Sequence, residues 1–353
     1  MDVICYMKID MIQNPSKLLV LVLAIAGLTT ITFIVVLSPV VLGAKGQAQE
    51  YNVYKFDSEG NFILGWGSRG SGPGQFYHAH GIAIDSSGDV YVSDQGNFQS
   101  KISHPDAIPH ISKFTADGKF ITKWGSEGSG PGQFTRIEDM ATDSSGNLYV
   151  AELGNSRISK FTADGKFITA WGSEDTASEG SLSKPWGVAV DSSGNILVTD
   201  KGRNMAFKFT SDGKYLQTLV PTGPADGQLQ HPHGIAIDSS GNFYIPDQVH
   251  GNVQKFSPDG KFLLKIGSEG SGEGQFHHPH GIAIDSSDNI YVADTGNNRF
   301  EKFTADGQFI KSWGPFGDPH DIKIDASGNL YLINTTYDDV SGASQAGGAS
   351  QAD

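Results

Sequence analysis

The sequence predicts an all-β protein in which six four-stranded antiparallel sheets close into a ring, the architecture of a six-bladed β-propeller. Two series of recurring residues carry this prediction. An aspartate follows an apolar alternating segment six times: Asp85, Asp143, Asp191, Asp238, Asp285 and Asp325. A phenylalanine precedes an x-x-Asp-Gly or x-x-Glu-Gly turn six times: Phe56, Phe114, Phe161, Phe209, Phe256 and Phe303. Four strands per period of about 40–50 residues are typical of a propeller blade.

Residues 281–314 show how one repeat gives four strands. Apolar and small residues alternate over 281–284, and the β-formers of 290–292 follow an Asp-Ser-Ser-Asp-Asn turn. A second pair of strands is predicted at 299–303 and 308–314, joined by a Thr-Ala-Asp-Gly turn. Because a four-stranded sheet with two apolar faces cannot bury both alone, the sheets are predicted to pack side by side around an axis.

We name the strands of each blade a to d from the axis outward. In the first complete blade they are predicted at 80–85, 89–94, 111–115 and 119–124. The last repeat stops after strands a and b, at 320–325 and 329–333, whereas 52–56 and 61–66 have the pattern of strands c and d. The two ends of the propeller are therefore predicted to complete one blade, which leaves no sheet edge exposed.

Two further recurring positions are predicted to be architectural. A tryptophan ends strand d in four repeats: Trp66, Trp124, Trp171 and Trp313. An acidic residue ends strand b in five repeats, where its side chain can cap the following turn: Asp94, Glu152, Asp200, Asp247 and Asp294.

The amino-terminal part is predicted to anchor the propeller to a membrane. After a short segment, 1–17, residues 18–44 form a run of 27 residues without a charge. A membrane helix needs about 20 apolar residues, more than the usual core of a signal peptide. Lys8 and Lys17 precede the run, which places the propeller on the extracytoplasmic side. The alternative is a cleaved signal sequence and a secreted protein.

Composition bears on the carboxy-terminal tail, on the kind of partner and on disulfide bonds. The propeller is assigned to 51–334, and the low-complexity segment 335–353 is predicted to be a disordered tail. The net charge of −14 argues against nucleic acid as a partner, since phosphate binding needs a basic surface. The one cysteine, Cys5, precedes the apolar run, so no disulfide is expected within the propeller. We expect a monomer.

The runs Gly-Ile-Ala-Ile-Asp-Ser-Ser-Gly-Asn, Tyr-Val-Ala-Asp-Thr-Gly-Asn-Asn-Arg and Lys-Phe-Thr-Ala-Asp-Gly resemble NHL repeats over 51–334. The resemblance implies the propeller fold. It does not choose among functions, because NHL propellers include RNA-binding proteins, protein scaffolds and enzymes. The first complete blade departs from the repeat by about eleven extra residues within 95–109. Such an insertion is either part of a binding face or a tolerated surface loop.

The eleven histidines are predicted to crowd one face of the propeller, which we call the connection face because the d-to-a and b-to-c connections form it. At the position predicted to open strand a, the six repeats carry His80, Glu138, Trp186, His233, His280 and His320. Imidazole and carboxylate groups converging on one axis predict a site for Zn²⁺ or another divalent metal. The alternative is a strand-start preference of the repeat. Trp186, His104, His110 and His250 are predicted to line the same face.

A second resemblance bears on the metal. The chain is similar to the lyase domain of peptidylglycine α-amidating enzymes, a six-bladed NHL propeller that holds zinc with histidines at the head of strand a in alternate blades. The corresponding residues here are Glu138, His233 and His320, and Asp321 matches an aspartate that helps to bind calcium. Lys201-Gly202 and Gln248-Val249 stand where that family has its catalytic Tyr and Arg, and Glu138 replaces a zinc histidine.

The function predicted from the sequence is that of a non-enzymatic, membrane-anchored NHL propeller. It would bind a protein, peptide or glycan on the connection face. The alternative is a metal-dependent lyase or hydrolase that uses the same face and a metal-bound water. The sequence contains no Gly-x-Ser-x-Gly elbow, no P-loop and no His-Glu-x-x-His motif.

Overall fold

The computed structural model describes residues 51–96, 106–172 and 178–335 with their side chains. Before them it describes only the backbone of two short strands, Val22–Leu23 and Ile34–Val35, which pair antiparallel. The predicted segment 1–17, His104 and the rest of the predicted anchor 18–44 lie outside the described residues. So does the predicted tail 335–353 except for Thr335, which is buried and whose hydroxyl donates to the Ala79 carbonyl oxygen, so the prediction of disorder is wrong for that residue. In the part of the chain that is described, no helix is long and apolar enough to cross a membrane, so the helix predicted for 18–44 is not supported there.

Six four-stranded antiparallel sheets make up the described part of 51–335, as predicted. The strands of blade 1 are Ala79–Ile84, Val90–Asp94, His110–Phe114 and Phe120–Trp124. The strands of blade 2 are Ile137–Thr142, Leu148–Glu152, Arg157–Phe161 and Phe167–Trp171. The strands of blade 3 are Pro185–Val190, Ile196–Asp200, Met205–Phe209 and Tyr215–Val220.

The remaining blades follow the same order. The strands of blade 4 are Ala236–Ile237, Phe243–Asp247, Asn252–Phe256 and Phe262–Ile266. The strands of blade 5 are Pro279–Ile284, Ile290–Asp294, Arg299–Phe303 and Phe309–Trp313. The strands of blade 6 are Pro319–Ile324, Leu330–Asn334, Val53–Phe56 and Phe62–Trp66. Two single-turn 3₁₀ helices, Leu153–Asn155 and Thr295–Asn297, lie in b-to-c connections.

Blade 6 closes the ring by joining the two ends of the propeller. Its strand b, Leu330–Asn334, pairs antiparallel with Val53–Phe56, and Val53 faces Ile333 in that register. The predicted closure is therefore confirmed. Three d-to-a connections contain short parallel pairs: Ser68–Arg69 with Gln75–Phe76, Ser126–Glu127 with Gln133–Phe134, and Ser268–Glu269 with Gln275–Phe276.

The strand-b carboxylates hold two connections together. The backbone N–H groups of Tyr77 and His78 donate to Asp94 at 2.8 and 2.9 Å, and that of Gly96 donates at 2.8 Å. Asp94 thus caps the turn after strand b, as predicted, and also holds the chain that enters strand a of the same blade. Because its side chain is fully buried, these bonds replace the water that the carboxylate lost.

The apolar core lies between neighbouring blades. In one cluster, Val90 and Val92 of blade 1 pack with Tyr331 of blade 6, and Trp66 packs against them. The ring of Trp66 lies 5.9 Å from that of Phe114 and 6.2 Å from that of Tyr331. Trp124, Trp171 and Trp313 occupy the equivalent place in other clusters, so the structural role predicted for these residues is confirmed.

The six strands a surround the axis. Residues at the same position in each of these strands therefore form a ring at one level of the channel. Counted from Ala79 in blade 1, the third position is glycine in four blades and aspartate in two: Gly81, Asp139, Gly187, Gly234, Gly281 and Asp321. The fifth position is alanine in five blades and lysine in one: Ala83, Ala141, Ala189, Ala236, Ala283 and Lys323. The two aspartates and the lysine are therefore departures from the repeat.

These three charged residues form one ionic cluster at the axis. The ammonium group of Lys323 lies 2.9 Å from Asp139 Oδ1 and 3.2 Å from Asp321 Oδ1. The other carboxylate oxygens accept from backbone N–H groups of the following blades, Val188 to Asp139 and Ile82 to Asp321. Burial opposes the charge of Lys323, but the two carboxylates outweigh it and raise its pKa. The cluster thus connects blades 6, 1, 2 and 3.

Removal of the lysine should destabilise the propeller strongly. Lys323→Met leaves two buried carboxylates without their cation, and breaking a buried ion pair costs about 3–5 kcal/mol. We expect denaturant unfolding to show a loss in that range. The triple variant Asp139→Gly, Asp321→Gly, Lys323→Ala, which gives blades 2 and 6 the residues of the other blades, should recover most of it.

The matched control is Lys265→Met. Lys265 also lies 2.9 Å from a carboxylate, that of Asp226, but both side chains are about half exposed. An exposed ion pair contributes at most about 1 kcal/mol. Equal losses in the two lysine variants would contradict the role given to the axial cluster.

Glu301 should make the stability of the propeller depend on pH. Its side chain is fully buried in strand c of blade 5, Oε1 accepts from the Gly274 N–H at 3.2 Å, and burial raises its pKa from 4.5 to about 7. The stability associated with a raised carboxyl pKa is present below about 4.5 and is lost as the pH rises through about 7. The free energy of unfolding should therefore fall by about 1–3 kcal/mol between pH 5 and pH 8 relative to Glu301→Gln.

Blade 4 shows why glutamine fits at this position. The equivalent Gln254 accepts from Gly227 N–H at 2.8 Å and donates to the carbonyl of Gln228 at 2.9 Å. Thermal melts of the wild type, Glu301→Gln and the exposed control Glu179→Gln across this pH range make the comparison. Parallel pH profiles for the wild type and Glu301→Gln would exclude Glu301 as the source.

Candidate functional site

The structure brings the six residues predicted to open strand a into one cluster at the channel mouth, which we call the mouth ring: His80, Glu138, Trp186, His233, His280 and His320. In five blades strand a starts one residue before the mouth-ring residue. A register irregularity follows in the same five blades, between Ala79 and Ile82 in blade 1 and at the equivalent places in blades 2, 3, 5 and 6. Bulges of this kind redirect side chains, and here they occur where the strands enter the mouth.

The aromatic members of the mouth ring are in contact around the axis. Ring centroids lie 3.6 Å apart for His80 and His320, 4.6 Å for His320 and His280, and 4.2 Å for His280 and His233. Trp186 stacks on His233 at 4.3 Å and lies 6.0 Å from His80. Four imidazoles and one indole therefore fill the mouth as a single unit.

Glu138 completes the mouth ring. Its side chain is fully buried, and its Oε2 lies 3.2 Å from His80 Nε2, while Oε1 lies 2.5 Å from the guanidinium Nε of Arg136. Gln95 donates to Oε2 at 3.4 Å. Burial raises the Glu138 pKa to about 7, although Arg136 and Lys201 oppose the shift.

The imidazoles are neutral at physiological pH. Burial lowers the pKa values of His80, His233 and His320 well below 6.5, and that of His280 to about 3. Neighbouring imidazoles add to the effect for all four, and Lys201 does so for His280 and His233, because a second positive charge would lie close by. A neutral imidazole keeps a lone pair, so each of these rings can accept a hydrogen bond or bind a metal ion.

Two cations flank the indole of Trp186 at the edge of the mouth ring. The ammonium group of Lys201 lies 4.6 Å from the indole centroid, and the guanidinium carbon of Arg136 lies 5.8 Å from it. Burial lowers the Lys201 pKa to about 8, and Glu138 partly opposes this. The acidic protein therefore carries local positive charge at the channel mouth.

His233 has the clearest unused binding capacity in the mouth ring. It is 1% exposed, and neither ring nitrogen has a hydrogen-bond partner among the described residues. By contrast, His280 Nδ1 lies 2.9 Å from His320 Nε2, and His80 Nδ1 lies 3.0 Å from the Glu138 carbonyl oxygen. A buried polar group without a partner costs free energy, so such a group commonly marks a place for a water, ion or ligand.

No group of three or more His, Cys, Asp and Glu side chains among the described residues has the arrangement of a metal-binding set. The predicted calcium residue, Asp321, has its carboxylate bonded to Lys323 and to the N–H groups of Ile82 and Ile322. A calcium ion at Asp321 would have to displace the lysine ammonium group, so the residues present do not fit it.

The other residues predicted for the connection face bond within their own blade. His110 Nδ1 lies 3.0 Å from the Ile108 carbonyl oxygen, and the imidazole stacks on Phe76. His250 Nδ1 lies 3.0 Å from Asp247, whose carboxylate also accepts the His250 N–H. These contacts connect His110 and His250 to local turns rather than to the mouth ring.

Sequence reasoning missed Arg136, Gln95 and Lys323. Arg136 and Gln95 lie in connections, where repeats vary and no periodic signal marks a residue. Lys323 had a signal, since it replaces an alanine shared by the other five repeats. Aligning the repeats position by position would have singled it out together with Asp139 and Asp321.

Two family models match the chain. A model described as a six-bladed β-propeller matches residues 111–179 and 228–313, and the NHL repeat model matches 76–99 and 182–205. Among curated proteins, human NHL repeat-containing protein 3 is 28% identical over 114 residues, which are 31% of this chain and 30% of that protein. The chain thus spans under a third of the length of this relative.

Solved structures share the fold at low sequence identity. A virginiamycin B lyase from Staphylococcus aureus has a TM-score of 0.54 at 16% identity, with 81% of this chain and 82% of that chain covered. A gluconolactonase from Xanthomonas campestris has a TM-score of 0.55 at 17% identity, with 73% and 86% covered. A chain of a nidogen/laminin complex has a TM-score of 0.54 at 19% identity, with 69% and 84% covered. The chain is therefore a six-bladed β-propeller that contains segments matching the NHL repeat at 76–99 and 182–205.

Proposed function

We propose that this propeller is a binding module whose ligand contacts the connection face at the mouth ring. The observation that carries the proposal is His233, a buried imidazole beside three other imidazoles and Glu138, whose two nitrogens have no partner in the described part of the chain. The partner would be a protein or peptide, or a glycan. A protein or peptide is the first choice, because NHL propellers commonly mediate protein interactions. A carboxylate of the ligand would suit the cations beside Trp186.

The proposal includes a divalent metal, with Zn²⁺ as the first choice. The supporting observation is the pair His280 Nδ1 and His320 Nε2 at 2.9 Å, next to the unpartnered His233. Zinc–nitrogen bonds of about 2.0–2.1 Å place two ligands of a tetrahedral ion about 3.3 Å apart. His233, His280 and His320 would hold the ion, with Glu138 as the nearest carboxylate. Some side-chain rotation is needed for three ligands to converge.

A metal-dependent lyase or hydrolase is the second candidate. The observation that favours it is the buried Glu138–His80 pair, since a carboxyl beside an imidazole can transfer protons. The S. aureus relative is a lyase by name, although the likeness extends to the fold alone. We place the binding module first because the Glu138 oxygens already contact Arg136, His80 and Gln95, so a substrate would have to displace one of these partners.

The metal proposal predicts that zinc binding depends on His233 and His320. Calorimetric titration of the protein, purified without a His-tag, should show one Zn²⁺ site. Removing one zinc ligand should weaken binding by at least about tenfold, so His233→Ala and His320→Ala should both lose the affinity of the wild type.

The control is His278→Ala. His278 lies two residues before His280, and its ring stacks on His277 at 4.4 Å, outside the mouth ring. The variant should bind Zn²⁺ like the wild type. Undiminished binding in the His233 and His320 variants, or no binding by the wild type, would leave the mouth ring as a metal-free interaction surface.

We also propose that residues 18–44 anchor the propeller on the extracytoplasmic side of a membrane. The uncharged run and the preceding lysines support this, and a cleaved signal is the alternative. The full-length protein should stay in the membrane fraction through an alkaline carbonate wash, and protease added outside should degrade the propeller. A mature chain that starts near Lys45 or Gln49 would refute the anchor and support the cleaved signal.

A further inference from the structure

Blade 3 carries two lysines at the edge of the mouth ring. Lys184 lies two residues before the mouth-ring position, and Lys201 directly follows strand b. At the first place the other repeats carry His78, Arg136, His231, His278 and Asp318, and at the second they carry Gln95, Leu153, Gln248, Thr295 and Thr335. No other repeat has a lysine at either place, so the two lysines are departures from the repeat rather than part of its architecture.

Both lysines lie beside the indole of Trp186. The backbone N–H of Lys201 donates to the Lys184 carbonyl oxygen at 2.9 Å, and the Lys201 ammonium group lies 4.6 Å from the indole centroid. The guanidinium carbon of Arg136 lies 5.8 Å from the same centroid. All three basic residues are partly exposed, and the Arg136 side chain is 39% exposed. A ligand on the connection face can therefore reach them.

Lys184 and Lys201 have no acidic partner of their own. Most lysines of the propeller lie within 4.0 Å of a carboxylate, whereas neither of these two does so among the described residues. The Glu138 carboxylate is paired with Arg136. That of Asp200 is fully buried and accepts three backbone N–H groups. Two ammonium charges therefore remain unbalanced at this edge of the mouth ring.

Like charges are held close together at this place. Burial lowers the pKa of Lys201, and Glu138 opposes this shift. The positive charges of Arg136 and Lys184 lower the same pKa further. Because an anion bound between these groups would relieve their repulsion, the place should attract negative charge. It should do so although the protein as a whole carries a net charge of −14.

The surroundings of the two lysines favour an acidic peptide over an acidic glycan. A sugar ring would need an open aromatic face on which to stack, but Trp186 is 5% exposed and His233 already stacks on its indole at 4.3 Å. Aspartate and glutamate side chains need only the ammonium groups. A peptide also brings backbone N–H donors, and His233 can accept one because its ring nitrogens have no partner among the described residues.

We propose that Lys184 and Lys201 bind an acidic segment of a peptide or protein partner, with one carboxylate at each ammonium group. The backbone of this segment lies across the mouth ring and donates to His233. The inference rests on the proposed interaction at the mouth ring, and it adds the chemistry by which the partner is recognised.

The test is fluorescence anisotropy of labelled hexa-aspartate, blocked at both ends, with the full chain at low ionic strength. Hexa-aspartate should bind saturably, and added salt should weaken the binding. Hexa-asparagine of the same length should not bind. Lys184→Met and Lys201→Met should each weaken hexa-aspartate binding by about threefold to fivefold, the range for one partly exposed ion pair, and the double variant by about tenfold or more.

The matched control is Lys214→Met. Lys214 is exposed in a c-to-d turn on the opposite face and also has no carboxylate partner among the described residues. Its substitution removes the same charge, so this variant should bind hexa-aspartate like the wild type. Equal losses in all three lysine variants would reduce the effect to overall charge and overturn the proposal, as would no saturable binding by the wild type.

Two further measurements separate the alternatives. Tighter binding of hexagalacturonate than of hexa-aspartate would assign the two lysines to an acidic glycan and refute the peptide. Zinc titration of the wild type reports on the mouth ring by itself. Zinc binding without hexa-aspartate binding would refute this inference and leave the mouth ring as a metal site.

Discussion

The close approach of six strands a around one axis is the constraint on which the rest of the structure depends. A Cβ atom added to Gly81 would lie 2.7 Å from the Glu138 carbonyl oxygen, and one added to Gly187 would lie 2.6 Å from that of His233. Contacts that short do not occur between real side chains and backbone, so glycine lets neighbouring blades meet at the axis. At the third and fifth positions of strand a most blades therefore carry glycine or alanine, whereas the mouth ring gathers larger side chains.

The same geometry explains the electrostatics of the mouth. Crowding four imidazoles within contact distance removes water from all of them, so each ring stays neutral and none repels the next. Glu138 is the acidic member of the mouth ring, and its carboxyl group contacts the Arg136 guanidinium as well as the His80 imidazole. A protein with a net charge of −14 can thus present a neutral, nitrogen-rich surface with local cations.

The fold could be predicted from the sequence because each repeat contains the local turn and strand signals that define a blade. In blade 1 the strand Val90–Asp94 begins one residue from its predicted start, since the Asp-Ser-Ser-Gly turn that precedes it fixes both ends of the hairpin. The repeat could also assign the mouth residues to one position of strand a. It could not give their partners: the ion pair of Lys323 and Asp139 joins residues 184 positions apart, and its existence depends on how three blades meet. The resemblance that implied calcium at Asp321 likewise did not predict that the Lys323 ammonium group binds the Asp321 carboxylate, because that contact also depends on how the blades meet.

The axial ion cluster divides the channel into two environments. On one side, the mouth ring presents neutral nitrogens, a carboxyl and flanking cations, which suit a polar ligand or a metal ion. Further along the channel, Lys323 and mainly alanine, isoleucine and valine residues of the strands a line a cavity of about 220 Å³. Because Asp139, Asp321 and Lys323 satisfy one another and the nearby backbone, they form a barrier that is costly to rearrange. A ligand at the mouth ring could therefore affect the far part of the channel only by disturbing this cluster.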